Sequence, residues 1–279
     1  MRLLAFGEVL FDVYGEDACI GGAPLNFAAH AHRAGAESFL LSALGRDALG
    51  ALALEKIRAY GVRTDALAVL DESPTGVCNV TLDEKGVPRY ELLTGAAYDS
   101  IPVWLPKGEF DGLYFGTLAL RSEANRDSLK RVLEKGAFRE VFVDLNVRLP
   151  FCDRESLVFA LSNATVLKVS DEELPYVMQT VFGEAAEGED ALQRIAARFS
   201  QIKMLILTCG ARGAMAYDRR GFLWCDAVKT EVVSTVGAGD SFSASFFVSY
   251  LQGENVNVCL QNAAKLSAYV VSKRDAIPD

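Results

Sequence analysis

The sequence predicts an α/β domain built on a mostly parallel sheet with helices packed against both faces. Three observations lead there. Apolar runs of strand length recur along the chain, and stretches of helical period separate most of them. Of the 279 residues, 51% are hydrophobic and 23% charged, a composition that can bury a sizeable core and excludes a disordered chain. No internal repeat, low-complexity tract or linker divides the chain, so residues 1–279 read as one domain.

In order, the strand-length runs are residues 3–6, 38–41, 113–115, 140–143, 164–169 and 204–208. Residues 125–135 and 190–199 carry a helical period between them. Strands that alternate with helices in this way pair in parallel, and their ligands lie beyond the carboxyl ends of the strands. The residues just after each run are therefore the candidates for chemistry. Two segments break the rhythm. Residues 12–20 are polar and read as extended. Residues 75–93 read as a hairpin, with strands over 76–82 and 87–93 around a turn at Asp83-Glu84-Lys85-Gly86. Together, over roughly 12–20 and 75–98, they form a small β-layer outside the main sheet. Periodicity does not distinguish a decorative layer from a lid that excludes water.

Composition removes several function classes. The chain carries 28 Lys and Arg against 37 Asp and Glu, a net charge of −9. A general nucleic-acid binder needs a basic face to displace counterions, so no nucleic-acid partner is expected. A phosphate ligand must be held by local devices instead. No apolar run approaches the ~18 residues of a membrane span. Glu8 and Asp12 interrupt the opening apolar stretch too early for a secretory signal. Six cysteines contain no C-x-x-C pair, so neither a zinc knuckle nor a disulfide framework is expected, and the setting predicted is a reducing cytoplasm. The two histidines, His30 and His32, are two apart on a predicted helix and face different ways. They read as structural or exposed.

The most informative stretch is Ser234-Thr235-Val236-Gly237-Ala238-Gly239-Asp240. A β-like run, 228–233, precedes it, and small residues over 241–251 follow as a helix. A glycine-rich turn at a helix start exposes backbone N–H groups at the positive end of the helix dipole, where an anion binds without any basic patch. Asp240 falls at the first helical turn. An aspartate there serves as a cap. Beside an anion-binding turn it also serves as the base that takes the proton of an attacking hydroxyl, with a low pKa expected at a helix N-terminus. The turn fits neither a Walker P-loop nor G-x-G-x-x-G, so a nicotinamide dinucleotide reading has little support. A second stretch, Gly21-Gly22-Ala23-Pro24-Leu25-Asn26, opens another predicted helix. Its plain reading is a tight turn before a packing helix. Its functional reading is a polyol site: Asn26 donates to and accepts from hydroxyls, Gly22 lets the ring approach, and Asp12, just past the first strand, accepts two hydroxyls.

Residues 21–50, G-G-A-P-L-N-F-A-A-H-A-H-R-A-G-A-E-S-F-L-L-S-A-L-G-R-D-A-L-G, resemble the first signature of the ribokinase-like (PfkB) carbohydrate kinases, and residues 233–242 resemble the second. The resemblance runs across essentially the whole chain. F-G-E-V-L-F-D at 6–12, L-Y-F-G-T-L-A-L-R at 113–121 and V-D-L-N-V-R at 143–148 are similar to the fructokinase branch. The resemblance implies a ribokinase-like sheet with a β-hairpin lid over the sugar. It implies transfer of the γ-phosphate of ATP, with Mg²⁺, to a primary hydroxyl, most simply fructose to fructose 6-phosphate. Other acceptors in the class are 2-keto-3-deoxygluconate, another ketose or a nucleoside. A sugar-binding homologue with weak turnover is the remaining alternative.

Carried over position by position, the resemblance makes Asp240 the base, and the backbone of Gly237, Ala238 and Gly239 the anion hole. Asp12, Gly22 and Asn26 hold sugar hydroxyls, and Arg148 contacts sugar or phosphate. Thr208, Gly210 and Gly213 lie along the nucleotide, Lys168 touches a phosphate, and Asn262 borders the adenine. Glu173 is tied to Mg²⁺ through water. Three positions depart from the family pattern. Ser234 replaces an Asp that helps hold an activating monovalent cation, which predicts weak dependence on K⁺. Ser170 replaces the Asn of an N-x-x-E motif. Arg274-Asp275 replaces a small Gly-Ala pair. The lid also supports dimerisation in such enzymes, and hairpin residues such as Val77 and Val80, read as exposed, would allow a homodimer.

Overall fold

The computed structural model describes residues 1–15, 17–82 and 88–279. The strands are β1 (Arg2–Phe6), β2 (Leu10–Tyr14), β3 (Asp17–Gly21), β4 (Glu37–Gly45), β5 (Leu67–Leu70), β6 (Gly76–Leu82), β7 (Pro88–Leu92), β8 (Phe110–Phe115), β9 (Phe138–Asp144), β10 (Val166–Ser170), β11 (Met204–Thr208), β12 (Gly213–Tyr217) and β13 (Phe222–Asp226). The helices are α1 (Ala23–Arg33), α2 (Ala48–Ala59), α3 (Glu123–Lys135), α4 (Arg154–Asn163), the single turn α5 (Leu174–Val177), α6 (Gly188–Arg198), α7 (Ala238–Leu251) and α8 (Val256–Val271).

Nine strands form the main sheet in the order β13-β12-β11-β10-β9-β8-β1-β4-β5. All neighbours are parallel except at one edge, where β12 runs antiparallel to β11 and β13. The α/β fold expected from the sequence is the fold observed. The alternation of strand side chains divides the core in two. Leu3 and Ala5 point to the face covered by α1, α2, α7 and α8, and Leu4 and Phe6 to the face covered by α3, α4 and α6. With both faces covered, the inner strands read as continuous apolar runs, which is why they were legible. Phe27 of α1 stacks on Tyr114 of β8 with ring centroids 3.9 Å apart, which fixes α1 against the sheet.

A second sheet, ordered β3-β2-β6-β7, stands apart from the first. The predicted extended segment, 12–20, lies mostly within a hairpin of its own: β2 turns back into β3 after Gly15, whose φ is 63°. The predicted hairpin is present as β6 and β7, and its turn at 83–86 lies outside the described residues. Val80 is not an exposed apolar residue. It is 6% exposed and packs with Leu10, Cys78 and Tyr98 in a small core beneath this sheet, and Val77 is half-buried. Among the described residues, Tyr14, Tyr90 and Leu93 are large apolar side chains this layer leaves exposed.

The predicted β-run over 228–233 is not a strand. After β13 the chain leaves the sheet edge and crosses to the end of α8, where Val233 and Ser234 donate backbone N–H groups to the Val271 carbonyl. With no neighbouring strand to complete a ladder, its β-branched residues stay open: Val232 and Val233 are 63% and 60% exposed. Among the described residues no helix is long and apolar enough to cross a membrane.

Candidate active site

β1 lies between β8 and β4, so the connections from its two sides diverge at its carboxyl end. Such a switch point opens a crevice in a parallel sheet. Here a cleft of about 1100 Å³ lies between the two sheets, bounded also by the starts of α1 and α7 and by residues 274–279. It brings together Asp12, Gly22, Asn26, Arg148, Lys168, Gly237, Gly239 and Asp240 from opposite ends of the chain.

The start of α1 is built for close approach. Gly22, its N-cap, has φ 115° and no side chain to cap the helix, and a Cβ there would stand 2.4 Å from the Glu8 carbonyl oxygen. Glu8 supplies the missing cap from a distance: its Oε1 accepts the Ala23 N–H at 3.2 Å. Pro24 sits in the first turn, where its absent N–H costs nothing. One turn on, Asn26 donates from Nδ2 to Oδ2 of Asp240 at 2.7 Å. This bond joins residues 214 positions apart and fixes α7 against α1.

The N-cap of α7 is Gly237, whose φ is 78°. A Cβ there would approach Ala276 to within 2.7 Å, so the turn depends on glycine. Ala238 departs from its expected place in the anion hole: its N–H is donated to the Thr235 carbonyl at 3.3 Å, and the residue is not among those lining the cleft. Asp240, in the first turn, is half-buried with one side open to the cleft. Its pKa is not low. Loss of hydration and the nearby Asp144 carboxylate raise it to about 6, against the pull of Asn26, Lys168 and Arg148.

Behind the turn lies a buried ion pair that the sequence did not announce. Lys168 Nζ sits 2.9 Å from both carboxylate oxygens of Asp144, and Ser243 donates its hydroxyl to Asp144 Oδ2 at 2.8 Å. Parallel pairing of β9 with β10 places Lys168 directly beside Asp144. Burial works against the lysine's charge, but Asp144, Glu173 and Asp240 outweigh it and hold its pKa raised. A Cβ on Gly239 would lie 3.2 Å from Nζ, so this cation stands directly behind the glycine turn.

On the second sheet, Asp12 is paired in register with Cys19 on one side and Cys78 on the other. Burial raises its pKa, while a bond from the Cys78 thiol and the charge of Arg148 oppose the rise. Arg148 is exposed in the cleft, and no ion pair among the described residues includes it.

Several expected residues lie elsewhere. Thr208 is at the carboxyl end of β11 beside Ser170, and Gly210 and Gly213 shape the turn into β12. They share the strand-end edge but do not line the cleft. Asn262, on α8, donates to the Ser249 hydroxyl at 3.2 Å and is also outside the lining. Glu173 clamps two strand ends, accepting the Val147 N–H at 2.6 Å and the Ser170 N–H at 2.8 Å. His30 is structural, with Nε2 2.7 Å from the Ala276 carbonyl oxygen. The short segment 274–278, where Arg274-Asp275 lies, is thereby held over the turn at Gly237. Glu8, Asp144 and Asn146 line the cleft and were not singled out as site residues from the sequence.

The described residues hold no cluster of three or more His, Cys, Asp or Glu that would cage a metal. Mg²⁺ bound through substrate phosphates and water needs no such cage. The donor set here, Glu173 with both oxygens already accepting backbone N–H groups, suits a metal that arrives with its own ligands.

The chain is 26% identical over 263 residues to a fructokinase of Salmonella typhimurium, an alignment that covers 89% of this chain and 84% of that protein. In structure it is similar to a fructokinase of Xylella fastidiosa solved with bound ATP, at a TM-score of 0.83 and 22% identity over 99% of this chain and 94% of that one. It is as similar to an aminoimidazole riboside kinase of Salmonella enterica solved with its riboside and an ATP analogue, at a TM-score of 0.83 and 22% identity over 99% and 95%. The family model of the pfkB family carbohydrate kinases matches residues 18–279, and with the glycine turn, Asp240 and the two-sheet cleft in place, this chain belongs to that family of sugar kinases.

Proposed function

We propose that the protein transfers the γ-phosphoryl group of ATP to a primary hydroxyl of fructose, giving fructose 6-phosphate and ADP. One observation carries the reading: the Asp240 carboxylate, held by Asn26 at 2.7 Å, opens onto the same cleft as Asp12, Gly22 and Arg148. The sugar would lie between Asp12 and the start of α1, its acceptor hydroxyl toward Asp240. Asp240 takes the hydroxyl proton as the new O–P bond forms and the bond to ADP breaks. The N–H groups of Gly237 and Gly239 and the Lys168 cation behind them would face the charge of the transferring group. Mg²⁺, bound with the nucleotide, neutralises triphosphate charge. Thr208, Gly210, Gly213 and Asn262 would border the nucleotide, and the β2–β3–β6–β7 layer would cover the sugar. Self-association would use the Tyr14, Tyr90 and Leu93 surface of that layer. A reducing, cytoplasmic setting belongs to this reading.

An ADP-release screen over hexoses, ketoses, sugar acids and nucleosides tests this. Fructose is expected to give the highest kcat/KM, and a higher value for any other acceptor overturns the assignment. A 2-keto-3-deoxy sugar acid is the second reading, favoured by the open guanidinium of Arg148, whose fork matches a carboxylate.

Ser234 carries a further prediction. Its hydroxyl accepts the Val236 N–H at 3.2 Å and brings no charge to the turn. K⁺ is expected to change kcat less than about twofold, and Ser234→Asp to make activity K⁺-dependent, because a carboxylate attracts a monovalent cation that a hydroxyl does not. Rates measured with K⁺ replaced by a bulky organic cation decide it. Equal K⁺ responses in the two proteins remove the role given to residue 234.

A further inference from the structure

Glu8 follows β1 and is 3% exposed. One carboxyl oxygen is committed to the Ala23 N–H, while the other, Oε2, is buried with no hydrogen-bond partner. A second buried oxygen, Oδ1 of Asn26, is also unpartnered, and the rest of that amide is bound to Asp240. Both residues line the cleft at the start of α1. A buried polar atom without a partner is rare in a native protein and marks a place where a ligand or water completes the bonding. The two atoms are also complementary. A carboxylic acid oxygen donates and an amide oxygen accepts, whereas a sugar hydroxyl does both.

We propose that Glu8 is a specificity-determining residue for the acceptor, its protonated Oε2 donating to a hydroxyl of a neutral polyol that in turn donates to Asn26 Oδ1. The proposal rests on the sugar-kinase reading and names the substrate chemistry of one corner of its site. The surroundings keep the proton in place. Burial lifts the Glu8 carboxyl to about 7, against the N–H groups of Glu8 and Ala23, and Asp240 and Arg148 then act with opposite signs. The titratable and charged groups whose fields reach it are Asp240 on α7, Arg148 after β9, Tyr114 on β8, Tyr98, and Arg121, which is itself paired with Asp99. As pH rises through 7 the donor is lost and a second negative charge appears near Asp240, so sugar binding weakens while nucleotide binding does not.

The test compares KM for sugar and for ATP in wild type, Glu8→Ala and Glu8→Gln between pH 6 and 8. Glu8→Ala is expected to raise the sugar KM roughly 10- to 100-fold at pH 6.5, as loss of a buried directional bond does, with the ATP KM within threefold of wild type. Glu8→Gln keeps a neutral donor and the Ala23 bond. It is expected to keep the sugar KM within about fivefold and to abolish the rise above pH 7. A sugar KM unmoved by Glu8→Ala, or a pH profile in Glu8→Gln that matches wild type, overturns the proposal. If Glu8→Ala does not fold, the Glu8→Gln profile decides alone. If the wild-type chain releases no ADP with any sugar, the kinase reading fails separately. Calorimetric sugar affinities across the same pH range then decide Glu8, an identical profile in wild type and Glu8→Gln overturning it.

Discussion

Asp240→Asn is expected to lower kcat by about 10²- to 10⁴-fold while making the protein more stable at neutral pH. The loss follows from the chemistry: an amide cannot take the proton of the attacking hydroxyl, and no second carboxylate is hydrogen-bonded to Asn26 to replace it. The gain follows from linkage. The folded-state pKa of about 6 lies above the 3.8 of an aspartate in an unfolded chain, so the folded protein binds this proton more tightly than the unfolded chain. Stability from that difference is complete below pH 3.8 and is lost as pH rises through 6. At pH 7.5 the native protein therefore carries a cost of about 3 kcal/mol for keeping this carboxylate ionised, which Asn removes. The same titration gives wild-type kcat an acidic limb near pH 6, because the base is inactive once protonated. Denaturant midpoints and kcat for both proteins across pH 5–8 check both statements. Wild-type kcat in the variant removes Asp240 as the base, and an unchanged or lower midpoint removes the electrostatic argument.

Lys168→Met is expected to destabilise the fold by about 3–5 kcal/mol, because it leaves the buried Asp144 carboxylate with Ser243 as its remaining side-chain donor. Pairing it with Asp144→Leu is expected to recover most of the loss, since an apolar pair of similar volume carries no buried charge. Activity does not return in the double variant, because the cation behind Gly239 is gone. Urea unfolding of the two single variants and the double variant measures the coupling, and additive losses would show that the pair does not act as a unit. In Lys168→Met the acidic limb of kcat should move above pH 6, since Lys168 holds the Asp240 pKa down.

These two residues also show what can be read from sequence and what cannot. The turn before Asp240 was legible because its neighbours in sequence are its neighbours in space: Gly237 and Gly239 make the turn, and the turn borders the cleft. The inner strands were legible because burial on both faces removes polar residues from them. Lys168 was not legible as a buried cation. Its partner lies 24 positions away, and only the register of β9 against β10 brings the two together. A lysine in a strand ordinarily reaches water. Glu8 stood in plain view within the F-G-E-V motif, yet nothing local says that a side chain after a strand will cap a helix 15 residues later. The 228–233 run misled for the opposite reason, since its β-branched residues satisfy a local rule that no neighbouring strand completes.

The order of the main sheet has a consequence for how the molecule is made. β1 is followed by β4 and β5 within the first 70 residues, but its other neighbour, β8, comes some forty residues after β5. Asp12, Gly22 and Asn26 belong to this early part of the chain, whereas Asp240, the proposed base, belongs to one of the last two helices. A nascent chain can thus bury much of its apolar surface long before it can do any chemistry. The packing of α7 onto α1 is what completes the proposed site.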